Sequence, residues 1–252
     1  MTKKFSEEFK KEILEFYKIN PNIQVKEIAK KFNISPSQLS HHAVKAGISR
    51  GKGLVSNISS TIFDPLDTSG SYWLGWIISD GNIQKTLRNA TISLFTKDEE
   101  ISKKFKEYIP ESNLHFKKES QLYCCYFGSK VLVEKLISFG IVPNKSKIIE
   151  LTIPLNVSML RGIFDGDGSV HNKRYVLKIT TASIKLAEQM FSFLKENNIK
   201  SKIRERHCTP GIYDLWIENK ENYIKFFEFI YKNSNENKLL RKYDRFVAML
   251  EN

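Results

Sequence analysis

Two aspartates each stand directly before a glycine at the end of an apolar stretch. Asp80 closes WLGWIISDG, Trp73 to Gly81, and Asp167 closes LRGIFDGDG, Leu160 to Gly168. Each stretch reads as the last turns of a helix that stops at its glycine, since Leu160, Ile163, Phe164 and Asp167 recur at helical spacing. Gly162 and Gly166 lie four residues apart and share one helix face, as do Gly75 and Ser79. Small residues on a face let two backbones approach closely, so packing of the two stretches would set Asp80 and Asp167 side by side at the ends of adjacent helices. That end of a helix carries partial negative charge, and neighbouring carboxylates repel. Something cationic must offset this, and a bound divalent metal is the obvious candidate. An isolated DG pair is simply a turn; two copies behind small-residue faces are more than that. A calcium loop fits less well, because Val170 stands where its glycine is required and Val176 where its terminal glutamate is required.

The substrate class follows from charge. A net charge of +12 over 252 residues points to a polyanionic partner. Nucleic acid ranks ahead of an acidic membrane, because no apolar run approaches the roughly 18 residues of a membrane span. Paired carboxylates also serve glycosidases, but a basic chain is a poor match for a neutral sugar or another small-molecule substrate. Cys124, Cys125 and Cys208 form an odd set without a CxxC pair, and the N-terminus lacks the apolar core of a signal peptide. An intracellular, reduced protein is expected.

The elements that must position the aspartates begin after an N-terminal module. Ser6 caps an expected helix over Phe5 to Ile19, stopped by Asn20 and Pro21; Val25 to Phe32 follows; Ser35 caps a third helix, Pro36 to Ala46, that ends at Gly47. VKEIAKKFNISPSQLSHH resembles a helix-turn-helix, with small Ala29 where two helices touch and Leu39 anchoring the second. Its recognition helix would expose Ser37, Gln38, Ser40, His41 and Lys45 to a DNA groove and its phosphates. Adjacent His41 and His42 cannot share a helix face as metal ligands. Residues 1–48 are therefore expected to form a small all-α DNA-binding domain. Residues 49–67 read as a linker whose Arg50 and Lys52 could follow a phosphate backbone.

From residue 68 the chain reads as two diverged copies of one unit, 68–154 and 155–252. After each DG stop comes a strand-forming stretch, TISLFT and YVLKITT, then a capped amphipathic helix beginning at Asp98 or Ser183. A hairpin follows, His115 to Phe127 or Lys202 to Ile217, and then another helix, Lys130 to Phe139 or Glu221 to Tyr231. The exits also correspond, Asn144 and Lys145 matching Asn237 and Lys238. Internal duplication with pseudo-two-fold symmetry is the simplest account. In KIRERH, Lys202, Arg204 and Arg206 alternate with Ile203 and Glu205, so one face of that hairpin is a basic ladder. Lys173, Arg174 and Lys178 could extend it, and Lys85, Arg88, Lys117 and Lys118 could do the same in the first copy.

LRGIFDGDG resembles the signature of the LAGLIDADG homing endonucleases, and WLGWIISDG is similar to it, with Ile78 where the later copy has Asp165. The resemblance covers residues 69–252. It implies an α+β fold, a duplicated αββαββα homing-endonuclease architecture behind the helix-turn-helix domain, whose sheets lie in the major groove of double-stranded DNA. It also implies that Asp80 and Asp167 hold Mg2+, with the Ser79 and Gly166 carbonyls completing the ligand set. Asp165 is then not a ligand. Lys145 and Lys238 are the candidates to stand near the scissile phosphates. The expected protein is a monomeric, metal-dependent, site-specific endonuclease for a long asymmetric target. A non-cleaving DNA-binding regulator and an RNA maturase use the same scaffold and remain open.

Overall fold

The computed structural model describes residues 6–20, 23–48, 58–65, 67–86, 89–171, 173–234 and 237–251. The chain divides into two compact units near residues 55 and 56. In the first, helices α1 (Glu7–Ile19), α2 (Val25–Lys31) and α3 (Pro36–Lys45) surround Ile13, Tyr17, Ile28, Ala29, Leu39 and Ala43. The Ser6 hydroxyl accepts the Phe9 amide and starts α1, with Glu7 and Glu8 in its first turn complementing the dipole. Asn33 takes a left-handed conformation, φ 49°, to turn the chain between α2 and α3, and Ala29 is small enough to be buried where they meet. Ser35 and Gln38 form a reciprocal capping box at the start of α3. Pro21, Arg50, Lys52 and most of the expected linker lie outside the described residues.

The second unit is duplicated. The first repeat runs α4 (Thr68–Ser79), β1 (Gly81–Lys85), β2 (Ala90–Thr96), α5 (Glu99–Tyr108), β3 (Asn113–Lys117), β4 (Leu122–Gly128) and α6 (Lys130–Ser138). The second runs α7 (Val157–Asp167), β5 (Gly168–Val170), β6 (Val176–Thr181), α8 (Ile184–Glu196), β7 (Lys202–Glu205), β8 (Tyr213–Glu218) and α9 (Lys220–Tyr231), and a further helix, α10 (Leu240–Leu250), follows it. Both sheets are antiparallel and share one topology, β1-β2-β4-β3 and β5-β6-β8-β7. The expected αββαββα duplication is therefore present, behind a helical N-terminal region. TISLFT and YVLKITT supply the second strand of each sheet, and the first strand issues straight from the DG glycine.

Period-two alternation sorts each sheet into two faces. Ile83, Ile92, Leu94, Cys125 and Phe127 point inward from the first sheet, as do Leu177, Ile179, Leu215 and Ile217 from the second, all into one core. Helix α4 is apolar all round, and Gly70 through Ile78 are buried, as expected of a central helix. The stretch before α4 is not a free linker up to Asp67. Phe63 is fully buried and stacks on Phe127, and Lys135 donates to the Ser60 carbonyl, so the apolar residues Ile58, Ile62 and Phe63 anchor it to the core.

Candidate active site

Helices α4 and α7 pack with their small residues at the seam. A Cβ built on Gly75 would stand 2.8 Å from the Gly162 Cα, and one on Gly162 would stand 3.0 Å from the Gly75 Cα, so the two backbones touch. At the last turn a Cβ on Gly166 would run into the Ser79 side chain and come within 3.3 Å of an Asp80 carboxylate oxygen. The seam thus delivers Asp80 and Asp167 to the same end of the helix pair. Asp80 is half-buried, and Asp167 opens to solvent on its outer side.

The electrostatics are those of a crowded pair. Burial pushes the Asp80 carboxyl up, opposed by Lys242 and Lys145. Burial and the neighbouring Asp80 push the Asp167 carboxyl up to about 7, against the same two lysines. Both lysines are nearly buried. Lys145 rides on a 3-10 turn, Lys145–Lys147, entered through left-handed Asn144, and donates to the Gly81 carbonyl at 2.5 Å. Lys242 donates to the carbonyls of Phe164, Asp165 and Gly166 at 2.7, 2.6 and 3.1 Å. Each cation therefore sits at the negative pole of one seam helix. Burial pulls both ammonium groups down, Lys242 to about 8.

Asp165 anchors this arrangement and faces no open site. Fully buried, it accepts from Tyr72 and Tyr231 hydroxyls at 2.9 and 2.7 Å and from the Leu239 amide at 2.9 Å. Burial outweighs these bonds and raises its carboxyl to about 6. The Leu239 bond fixes the start of α10 and so places Lys242. Lys145 in the first repeat follows no such helix, and apolar Ile78 occupies the matching position, buried.

The ammonium of Lys238, expected as the partner of Lys145, lies 4.2 Å from the centre of the Tyr243 ring. Lys242 is the second lysine whose charge bears on both aspartates, and a signal for it exists in the sequence, since it interrupts the apolar spacing of Leu239 and Phe246 along α10.

The Asp80 and Asp167 carboxylates would suit a hard cation. If the carbonyls of Ser79 and Gly166 joined them, the set would be all oxygen and would leave positions for water or a phosphate, as magnesium requires. The Gly166 carbonyl also accepts from Lys242. Among the described residues no group of three or more His, Cys, Asp or Glu side chains gathers to hold a metal, at the seam or away from it.

The outward faces of the sheets differ from a simple basic ladder. On the second, Ser169, Lys178, Trp216 and Lys202 lie in register across four strands, with Thr180, Asp214 and Arg204 in the next row. Asp214 is nearly buried and accepts Arg206 through Nε at 2.9 Å and Nη2 at 2.8 Å, Thr180 at 2.7 Å and Lys178 at 3.3 Å. Glu218 accepts from Arg204 at 2.8 Å and Lys202 at 3.5 Å, and the Arg204 guanidinium lies over Trp216 at 4.7 Å. A hollow of about 510 Å³ beside Trp216 is lined by Ser169, His171, Lys173 and Lys178. Lys173 and Arg174 are exposed in the β5–β6 turn.

In the first sheet, Lys117 reaches the outward face and sits 5.1 Å from the Phe95 ring. Lys85 does not join it: it shares the inward parity of Gly81 and Ile83 and faces Glu134 of α6 at 3.6 Å. Arg88 lies outside the described residues. In the N-terminal unit Ser40, His41 and Lys45 are exposed on α3, whereas the Gln38 carbonyl oxygen is committed to the Ser35 amide at 3.0 Å in the capping box. No helix among the described residues is long and apolar enough to cross a membrane.

Comparison with known proteins agrees with this architecture. Residues 155–231 match the LAGLIDADG-like domain family, residues 69–137 the WhiA LAGLIDADG-like domain family, and residues 1–48 a helix-turn-helix family described as transposase. The chain is 29% identical over 161 residues to the DNA-directed RNA polymerase subunit Rpo1C of Methanocaldococcus jannaschii, covering 60% of this chain and 18% of the relative. It is 29% identical over 178 residues to the replication factor C small subunit of Thermococcus kodakarensis, covering 66% of this chain and 19% of the relative. The chain thus spans less than a fifth of the length of either. The fold is similar to that of the homing endonuclease I-DmoI in complex with DNA and calcium, with a TM-score of 0.52, 19% identity, and coverage of 77% of this chain and 98% of that one.

Proposed function

We propose that this chain, which belongs to the LAGLIDADG family through both of its repeats, is a site-specific double-strand DNA endonuclease that hydrolyses phosphodiester bonds with a divalent metal. The observation that carries this is the retention of both seam aspartates, raised in pKa and flanked by two buried lysines. That arrangement has an obvious use at a scissile phosphate, whereas its raised carboxyls cost stability at neutral pH. A magnesium ion bound by Asp80 and Asp167 would stabilise charge at the phosphate and favour an ionised water.

The chain's own residues divide the remaining work. All three Lys242 hydrogens are donated to carbonyls, so its part is fixed positive charge beside Asp167. Lys145 donates one hydrogen to Gly81, which leaves its Nζ able to meet a phosphate oxygen or hand a proton to a leaving alkoxide. The outward sheet faces carry the target duplex in this reading, and α3 adds contacts through Ser40, His41 and Lys45. Matching a minor segment of both an RNA polymerase subunit and a replication factor subunit is what a transferable insert would do, which supports a homing role.

The WhiA LAGLIDADG-like match, together with the N-terminal helix-turn-helix, favours as a second reading a DNA-binding regulator that does not cut. Incubating the full chain with a randomised duplex library in magnesium and sequencing the ends separates the two. Defined double-strand breaks that vanish with Asp80→Asn and Asp167→Asn, while binding persists, support the nuclease. Selective binding by the wild type without breaks supports the regulator.

A further inference from the structure

The two outward faces present different base-reading chemistry. On β1, Asn82 and Gln84 point outward two residues apart, in register with Ser93 and Thr91, and neither side-chain amide is engaged by another described residue. Their neighbours on that face include an aromatic pair: Tyr126 and His115 are stacked at 5.5 Å and joined by a 3.1 Å hydrogen bond. A two-residue strand interval of about 6.8 Å equals about two base-pair steps. Free carboxamides pair bidentately with adenine in the major groove.

The second sheet carries guanidinium groups instead, and its two arginines are not equivalent. Arg206 gives Nε and both Nη2 hydrogens to Asp214 and Thr180, so only Nη1 remains and it has no fork left for a base. Arg204 gives a single Nη2 hydrogen to Glu218 and stands over the Trp216 ring at 4.7 Å. Its two Nη1 hydrogens and the second Nη2 hydrogen stay available, on a guanidinium held by the carboxylate and the indole. That is the geometry for the O6 and N7 acceptors of guanine.

Resting on the nuclease reading, in which these faces meet DNA, we infer that the duplex target is compositionally polar. Adenine-bearing pairs lie beside the cut on the first repeat's side, read by Asn82 and Gln84, which follow Asp80 by two and four residues. A guanine lies on the second repeat's side, read by Arg204. Arg206 is a strut that holds the Asp214 network rather than a base reader.

The test is selection of bound duplexes from a randomised library with the full chain in EDTA, followed by the same selection with Arg204→Ala, Arg206→Ala and the Asn82→Ala/Gln84→Ala double variant, each checked for an unchanged melting profile by calorimetry. The wild type should enrich a site with adenines near its centre on one side and a guanine on the other. Arg204→Ala should lose the guanine preference by about ten- to a hundredfold at that one position. The double variant should relax only the adenine positions, and Arg206→Ala should weaken all sequences alike while keeping every preference. A long selected site whose guanine preference survives Arg204→Ala, or follows Arg206, overturns the inference and leaves the DNA-binding reading intact. Enrichment of no sequence by the wild type overturns that reading, and the inference with it.

Discussion

Gly75 and Gly162 face each other across the α4–α7 seam so closely that a Cβ on the first would lie 2.8 Å from the Cα of the second. Because the obstacles are backbone atoms, no rotamer change relieves the clash, and the helices must separate. Gly162→Ala should cost about 1–3 kcal/mol or more, lowering the melting temperature by several degrees at about 2–4 °C per kcal/mol for a unit of this size. Cleavage should fall further than stability, since separation of the helices moves Asp80 from Asp167. An unchanged melting temperature would contradict the seam geometry.

The seam was legible in the sequence because Gly75, Ser79, Gly162 and Gly166 carry its periodicity locally, and the duplication repeats it. The sheets were legible for the same reason: alternation and turn residues are local. Lys242 was not, because its site depends on where α10 starts, which the buried Asp165–Leu239 bond decides from 74 residues away. Nor did the basic alternation of Lys202, Arg204 and Arg206 reveal the opposing Asp214 and Glu218. Those sit on β8, and only the register of β7 against β8 brings them under the arginines.

The raised carboxyls make the metal-free protein prefer acid. Asp165 and Asp167 have folded values of about 6 and about 7, above the ordinary carboxylate value of 3.8, so between those limits the folded state binds more protons than the unfolded chain. Stability therefore falls as pH rises from about 4 to about 7. Melting scans in EDTA should show a higher transition at pH 5 than at pH 7.5, and Asp167→Asn should flatten the upper part of that slope. Magnesium should raise the transition at pH 7.5 more than at pH 5, because it requires the ionised carboxylates. A metal response that is stronger at pH 5 would count against Asp80 and Asp167 as its ligands.

The two lysine assignments separate by substitution. Lys238→Ala removes a cation from beside Tyr243 and should leave cleavage within about twofold of wild type, the small effect expected of a residue away from the site. Lys242→Met strands three carbonyls at the end of α7, so both stability and cleavage should drop. Lys145→Met should cut the rate by about 10² or more with a smaller loss of stability, as for other charge-stabilising groups. Single-turnover rates and melting temperatures measured on the same preparations decide it; a rate loss in Lys238→Ala equal to that in Lys145→Met would restore the symmetric pairing of those two.

The N-terminal unit should extend the contact with DNA at one end only. It carries exposed Lys45, His41 and Ser40 on α3, has its own core and forms its own compact unit, and the two repeats after it have no second copy of it. Each phosphate that it neutralises adds about 0.9 to the slope of log affinity against log salt on duplex DNA. Removing residues 1–55 should therefore weaken binding most at low salt, flatten the salt dependence by one or more such increments, and shorten the protected footprint at a single end. Cleavage should survive at high protein concentration, because Asp80, Asp167, Lys145 and Lys242 all lie in the repeats. Footprinting and salt titration of the truncated and full chains on one selected duplex measure this directly, and an unchanged slope with an unchanged footprint would show that α3 does not touch the target.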